Sequence, residues 1–249
     1  MNSPPLLLLH GAWHQGACWN PVATHLRQRG LTVLSPDLPG HGASSVPVHK
    51  VSLRTYVKAV LDLLDGLDQS AVVVAHSMAG MILAACSSER PHRIREAIYL
   101  CAYLPCDGDS VFDLIARERG TEAMLPIENA LCMSQDKRSC TLDPTQAAPL
   151  FYHDATSEDA AWAVANLGIQ STLPLAARVS LNKDNFARVP RTYICCTRDR
   201  VIPLDQQRHM LRRQPCQQLL QLDCSHSPFL SRPAQLADLL AASVGLPHP

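Results

Sequence analysis

A serine, an acid and a histidine that could act together stand in three recognisable settings. Ser77 lies in Ala75-His76-Ser77-Met78-Ala79-Gly80, where the β-branched run AVVVAH passes straight into the apolar stretch AGMILAAC. A serine on so sharp a strand-to-helix turn is a nucleophile-elbow pattern, which demands small neighbours two positions to either side. Those neighbours are Ala75 and Ala79, where glycine is commoner. Helix onset after Ser77 also aims the Met78 N–H at any oxyanion formed there. A serine hydroxyl is a poor nucleophile until a base takes its proton, and the base needs an acid behind it. Of eleven histidines, His226 in QLLQLDCSHSPFL follows the last apolar run and precedes the final helix, which places it at the same sheet edge as Ser77. His10 and His41 sit in turn motifs, His76 is the elbow's variable residue, and His25, His92 and His209 read as solvated positions. Asp199, in CTRDRVIP, follows the preceding run at that edge, with Asp107 and Asp109 as the alternative acids. Taken singly, Ser77 is also a helix-capping serine, Asp199 a turn cap and His226 a surface imidazole. Three matches at one edge in the order Ser, Asp, His favour acyl transfer through a covalent intermediate. His10-Gly11-Ala12-Trp13 ends the first apolar run, and a glycine there lets the chain turn tightly, so the Ala12 N–H is expected as the second oxyanion donor.

Short apolar runs at 5–10, 31–36, 71–76, 97–102, 192–197 and 218–223 read as strands covered on both faces. Helical stretches at 18–29, 53–67, 79–89, 204–213 and 233–244 alternate with them, which predicts a doubly wound α/β sheet. Neighbouring first and third strands would bring Ala12 and Ser77 together. One interval is far longer than an ordinary connection: about ninety residues separate the fourth run from the fifth. Its helix-like pieces SVFDLIARE and SEDAAWAVANLG predict a small helical cap at about 103–190 inside one domain spanning 1–249.

The charge balance, 22 Lys+Arg against 22 Asp+Glu, gives no basic field for nucleic acid or an anionic membrane surface. The run PLLLLH near the N-terminus is too short for a membrane span or a signal core and lacks a basic flank, so no membrane association is expected. Ten cysteines without an export signal, several inside apolar runs and none in a C-x-x-C pair, argue for free thiols, no metal and a cytoplasmic setting.

With these landmarks placed, the chain resembles the plant-type methylesterases and hydroxynitrile lyases with their bacterial esterase relatives, over nearly its full length. HGAWHQGACW (10–19), PDLPGHG (36–42), AHSMAG (75–80), CTRDRVIP (196–203) and SHSPFL (225–230) are similar to that family's landmarks at similar spacing. The resemblance implies an α/β-hydrolase fold with a compact, mainly parallel six-stranded sheet, catalytic Ser77, Asp199 and His226, and oxyanion donors at Ala12 and Met78. Lyases of the family resemble one another in a threonine after the first-strand histidine and a lysine after the catalytic histidine; here Gly11 and Ser227 stand there. Cyanohydrin cleavage needs that cation, so ester hydrolysis is favoured. The expectation is a cofactor-independent serine carboxylesterase for a small-molecule ester, methyl esters included, with Gly11, Trp13, Phe151, Tyr152 and Trp162 at the substrate. Those aromatic residues serve equally well as core, and an aromatic substrate follows only if they line the pocket. A thioesterase, a polyketide cyclase or a carbon–carbon bond hydrolase would use the same triad, while a lyase or a non-catalytic hormone-binding protein fits less well. A homodimer stays open.

Overall fold

Aliphatic runs without polar alternation form the middle of a sheet covered on both faces, as a parallel sheet requires. The computed structural model describes residues 3–118 and 126–245. Six strands, β1 (Leu6–Leu9), β2 (Val33–Leu34), β3 (Ala71–His76), β4 (Ile94–Leu100), β8 (Arg191–Cys196) and β9 (Gln218–Leu222), make the main sheet. Their order is β2-β1-β3-β4-β8-β9 and every pairing is parallel, with Leu7 opposite Val73, Val73 opposite Ala97 and Tyr99 opposite Tyr193. All residues of β1 and β3 are buried. The chain winds outward in one direction from β1 to β2 and in the other from β3 onward. The crevice beyond the C-terminal ends of β1 and β3 is therefore the switch point at which such sheets bind ligands.

Helices α1 (Asn20–Gln28) and α12 (Pro233–Ser243) pack together, as do α2 (Leu53–Asp65) and α3 (Ala79–Glu89). Helix α2 opens with a capping box between Ser52 and Thr55 and buries one apolar stripe. In α3 every residue from Ala79 to Ser88 is buried, which explains why its sequence is apolar all round. Helices α10 (Leu204–Arg213), α11 (Pro228–Ser231) and α12 follow the last two strands.

Between β4 and β8, residues 101–190 hold α4 (Val111–Glu118), α5 (Pro126–Asn129), α6 (Pro144–Phe151), α7 (Ser157–Ala165), α8 (Leu173–Ala176) and α9 (Lys183–Arg188). They also hold an antiparallel sheet, β5 (Leu131–Met133), β6 (Ser139–Leu142) and β7 (Gln170–Ser171). The interval is mainly helical, as a helical cap requires, and its strands span two to four residues, too short to show an alternation in the sequence. What fixes the hairpin is turn chemistry: the Ser134 N–H donates to the Ser139 carbonyl, and the Ser134 hydroxyl donates to Asp136. Among the described residues no helix is long and apolar enough to cross a membrane.

Candidate active site

Strand β3 ends at His76 and α3 begins at Ala79, and Ser77 makes the turn between them with φ +56°. A non-glycine residue held in the left-handed region is strained, and such strain persists where surrounding structure over-determines it. Here the Ser77 carbonyl accepts from the N–H groups of Gly80 and Tyr103, both at 3.1 Å. Space beside the serine is provided at two glycines. A Cβ at Gly80 would lie 2.0 Å from the Tyr103 carbonyl oxygen, and one at Gly11 would lie 2.8 Å from the Ser77 Cβ. Ala75 and Ala79, the positions at which glycine is commoner, are fully buried with their methyl groups accommodated.

Asp199 follows β8. Its Oδ1 accepts from the amides of Val201 at 2.7 Å and Ile202 at 2.9 Å, while Oδ2 lies 2.6 Å from His226 Nδ1. The carboxylate can only accept, so Nδ1 carries the imidazole proton and Nε2 presents a lone pair. That Nε2 is buried and has no hydrogen-bond partner. The His226 ring lies 4.6 Å from the ring of His76, the residue next to Ser77. Asp107 and Asp109 are engaged elsewhere: Asp107 accepts from the Leu181 amide, and Asp109 pairs with Arg117 and Arg213.

Ala12, Ser77 and Met78 face a cavity of about 360 Å³. The amides of Ala12 and Met78 have no acceptor among the described residues. Beyond them the walls are Trp13 and Tyr103, Val111, Phe112, Ile115 and Ala116 of α4, Ile127 of α5, Leu131 of β5, Leu175 of α8, and Val201, with Glu128 as the charged lining residue. Sequence reasoning found the helix carrying Val111 and Ile115 but not which face it turns to the serine. The glutamate and the short elements bearing Leu131 and Leu175 carried no signal.

Of the aromatic residues expected at the substrate, Trp13 lines the cavity, with φ +63° and its indole N–H donating to the Cys140 carbonyl at 3.3 Å. Phe151, Tyr152 and Trp162 do not line it. Phe151 packs edge-on against the His226 ring at 5.3 Å. The Tyr152 hydroxyl donates to His14 Nε2 at 2.8 Å, and His14 Nδ1–H donates to the Ala12 carbonyl, also at 2.8 Å. Trp162, on α7, is 40% exposed. Tyr152 and His14 thus brace the loop that carries Ala12, a contact no local motif announces. Burial pushes the imidazole of His14 down to about 4, and His41, bonded to the Tyr56 hydroxyl, is likewise held at about 4 mainly by burial.

Among the described residues, His76, Cys101 and His226 bring potential metal-ligating atoms within 4.8 Å of one another. Two of their nitrogens, His76 Nδ1 and His226 Nε2, have no hydrogen-bond partner, and the other polar atoms of the three side chains are engaged. His76 Nε2–H and the Cys101 thiol both donate to the His226 carbonyl, and His226 Nδ1–H is held by Asp199.

The parallel sheet, the strained serine at its switch point and the buried acid–imidazole pair define an α/β hydrolase. The chain belongs to the alpha/beta hydrolase family, whose pattern it matches from residue 6 to residue 239. Among curated proteins it is similar to methylesterase 7 of Arabidopsis thaliana, 26% identical over 258 residues that cover 96% of this chain and 95% of the relative. It is also similar to a pyrethroid hydrolase of Sphingobium wenxiniae, 28% identical over 97% of this chain and 88% of that protein. Among solved structures it shares its fold with a pyrethroid hydrolase from Sphingobium faniae, with TM-score 0.85, 24% identity and 98% of both chains covered. A polyneuridine aldehyde esterase superposes with TM-score 0.86 at 19% identity, covering 96% of this chain and 98% of the other.

Proposed function

We propose that this protein is a serine carboxylic ester hydrolase in which Ser77 is the nucleophile, His226 the general base and Asp199 the residue that orients the base. His226 Nε2 takes the Ser77 proton as Oγ attacks the ester carbonyl, and the amides of Ala12 and Met78 hold the resulting oxyanion. The proton passes from His226 to the departing alcohol, and water, activated by the same nitrogen, releases the acid from the acyl-enzyme. The observation that carries this reading is the pair at 2.6 Å between His226 Nδ1 and Asp199, which leaves Nε2 unpartnered beside the elbow. In resting enzymes the serine–imidazole contact is often loose and tightens when substrate enters.

Residues 101–190 act on this reading as a cap within one domain, because α4, α5, β5 and α8 supply much of the cavity wall. An apolar cavity of about 360 Å³ suits an uncharged ester with an aliphatic or aromatic acyl group. Relatives named methylesterase and pyrethroid hydrolase fit the same reaction class. A lyase fits less well, since a threonine at position 11 would bring its Cβ to 2.8 Å from the Ser77 Cβ and position 227 offers no cation. All ten cysteines are free thiols, which suits a reducing compartment, and the cytoplasm is proposed. The test is a hydrolysis screen over methyl, aryl and thioesters with Ser77→Ala as the blank. Turnover of methyl or aryl esters that disappears in the blank supports the reading, and equal turnover by both proteins contradicts it.

A further inference from the structure

His226 lies on an irregular segment between β9 and α11, so the pose of its ring depends on what holds its backbone. Its neighbour Ser225 is tied outward to residues 151 and 154: the amide donates to Asp154 at 3.0 Å and the hydroxyl to the Phe151 carbonyl at 3.1 Å. The His226 carbonyl itself points inward. It accepts from His76 Nε2 at 2.8 Å and from the Cys101 thiol at 3.4 Å. His76 is wholly buried, and its other nitrogen, Nδ1, has no hydrogen-bond partner. A carbonyl can only accept, so His76 is fixed as the neutral tautomer protonated on Nε2. Burial and the nearby His226 hold its imidazole well below the ordinary histidine range, which keeps that tautomer in place.

We infer that His76 is a positioning residue for the base: its Nε2–H fixes the His226 carbonyl, and with it the ring, relative to the adjacent Ser77. The bond crosses 150 positions of sequence and joins the strand that carries the nucleophile to the segment that carries the base. Cys101, directly after β4, supplies a second and weaker donor to the same oxygen. The elbow's variable position is therefore occupied for a reason specific to this site, because a donor is needed one residue before the serine. A neutral ring also adds no repulsion when His226 becomes imidazolium during the reaction.

The inference rests on the triad reading above, and three variants separate the two. Gln carries its amide nitrogen to about the place of histidine Nε2, whereas Asn carries it only to that of Nδ1. His76→Gln should therefore keep kcat within a fewfold of wild type. His76→Asn should lose about 10- to 100-fold in kcat with KM nearly unchanged, because misplacing the base harms the transition state and not the apolar cavity. Thermal midpoints measured beside the kinetics distinguish positioning from folding, since a purely structural role lowers Tm in both variants and does not separate their kcat values. Equal kcat for His76→Asn and His76→Gln, whether both are wild-type or both impaired, overturns the inference. Ser77→Ala run in parallel isolates the other possibility: if it retains turnover, the triad reading fails and not merely the role of His76.

Discussion

Asp199 and His226 meet through Oδ2 and Nδ1 at 2.6 Å with both side chains closed off from solvent, and the other carboxylate oxygen is pinned by two backbone amides. Neither partner can turn without breaking a buried hydrogen bond, so the imidazole is presented in one tautomer and one orientation. Asp199→Asn keeps the shape but replaces the acceptor facing Nδ1 with an amide N–H, which favours the tautomer protonated on Nε2. We expect kcat to fall by about 10³- to 10⁴-fold with little change in KM, measured by steady-state ester hydrolysis.

Ile115 of α4 lines the cavity with Leu175 of α8, and both are apolar side chains whose volume limits the acyl group. Ile115→Ala should enlarge the cavity and raise kcat/KM for bulky acyl esters relative to acetate. A change of about 10-fold in that ratio is expected, on the order of one to three kcal/mol for the methylenes involved. A matched series of acyl chain lengths measures it.

Stability should depend on acid in a direction set by the buried histidines. His14 and His41 titrate at about 4 in the folded protein against an ordinary value of 6.5, so between those limits the unfolded chain binds more protons. Their contribution is complete above pH 6.5 and is lost progressively as pH falls to about 4. Thermal unfolding followed from pH 7.5 to pH 4.5 should show Tm falling across that window. His14→Gln should flatten the slope.

Strands built from unbroken aliphatic runs were legible because burial on both faces leaves no polar residue to obscure them, as in β1 and β3. Strand β4 starts at Ile94, three residues before the run at 97, because Arg95 is exposed and Glu96 half-buried at the sheet's N-terminal edge and they mask its beginning. The contact between Asp199 and His226 was legible from segment order and edge placement. The cavity was not, since aromatic identity says nothing about which way a buried ring faces. Phe151 and Tyr152 look like pocket residues in sequence yet pack behind His226 and His14. Small residues at the elbow were expected at positions 75 and 79, but the close approaches that exclude a side chain fall at Gly80 and Gly11, which depend on Tyr103 and on β1 lying beside β3.

On the proposed mechanism Ser77 is the activated nucleophile, and covalent labelling reports on that role. Treating the protein with a fluorophosphonate and locating the adduct by peptide mass spectrometry should place one phosphonyl group on Ser77, with labelling slowed about 10³-fold or more in His226→Ala. An unlabelled Ser77 in folded protein, or an adduct on another residue that blocks hydrolysis, would rule out Ser77 as the nucleophile.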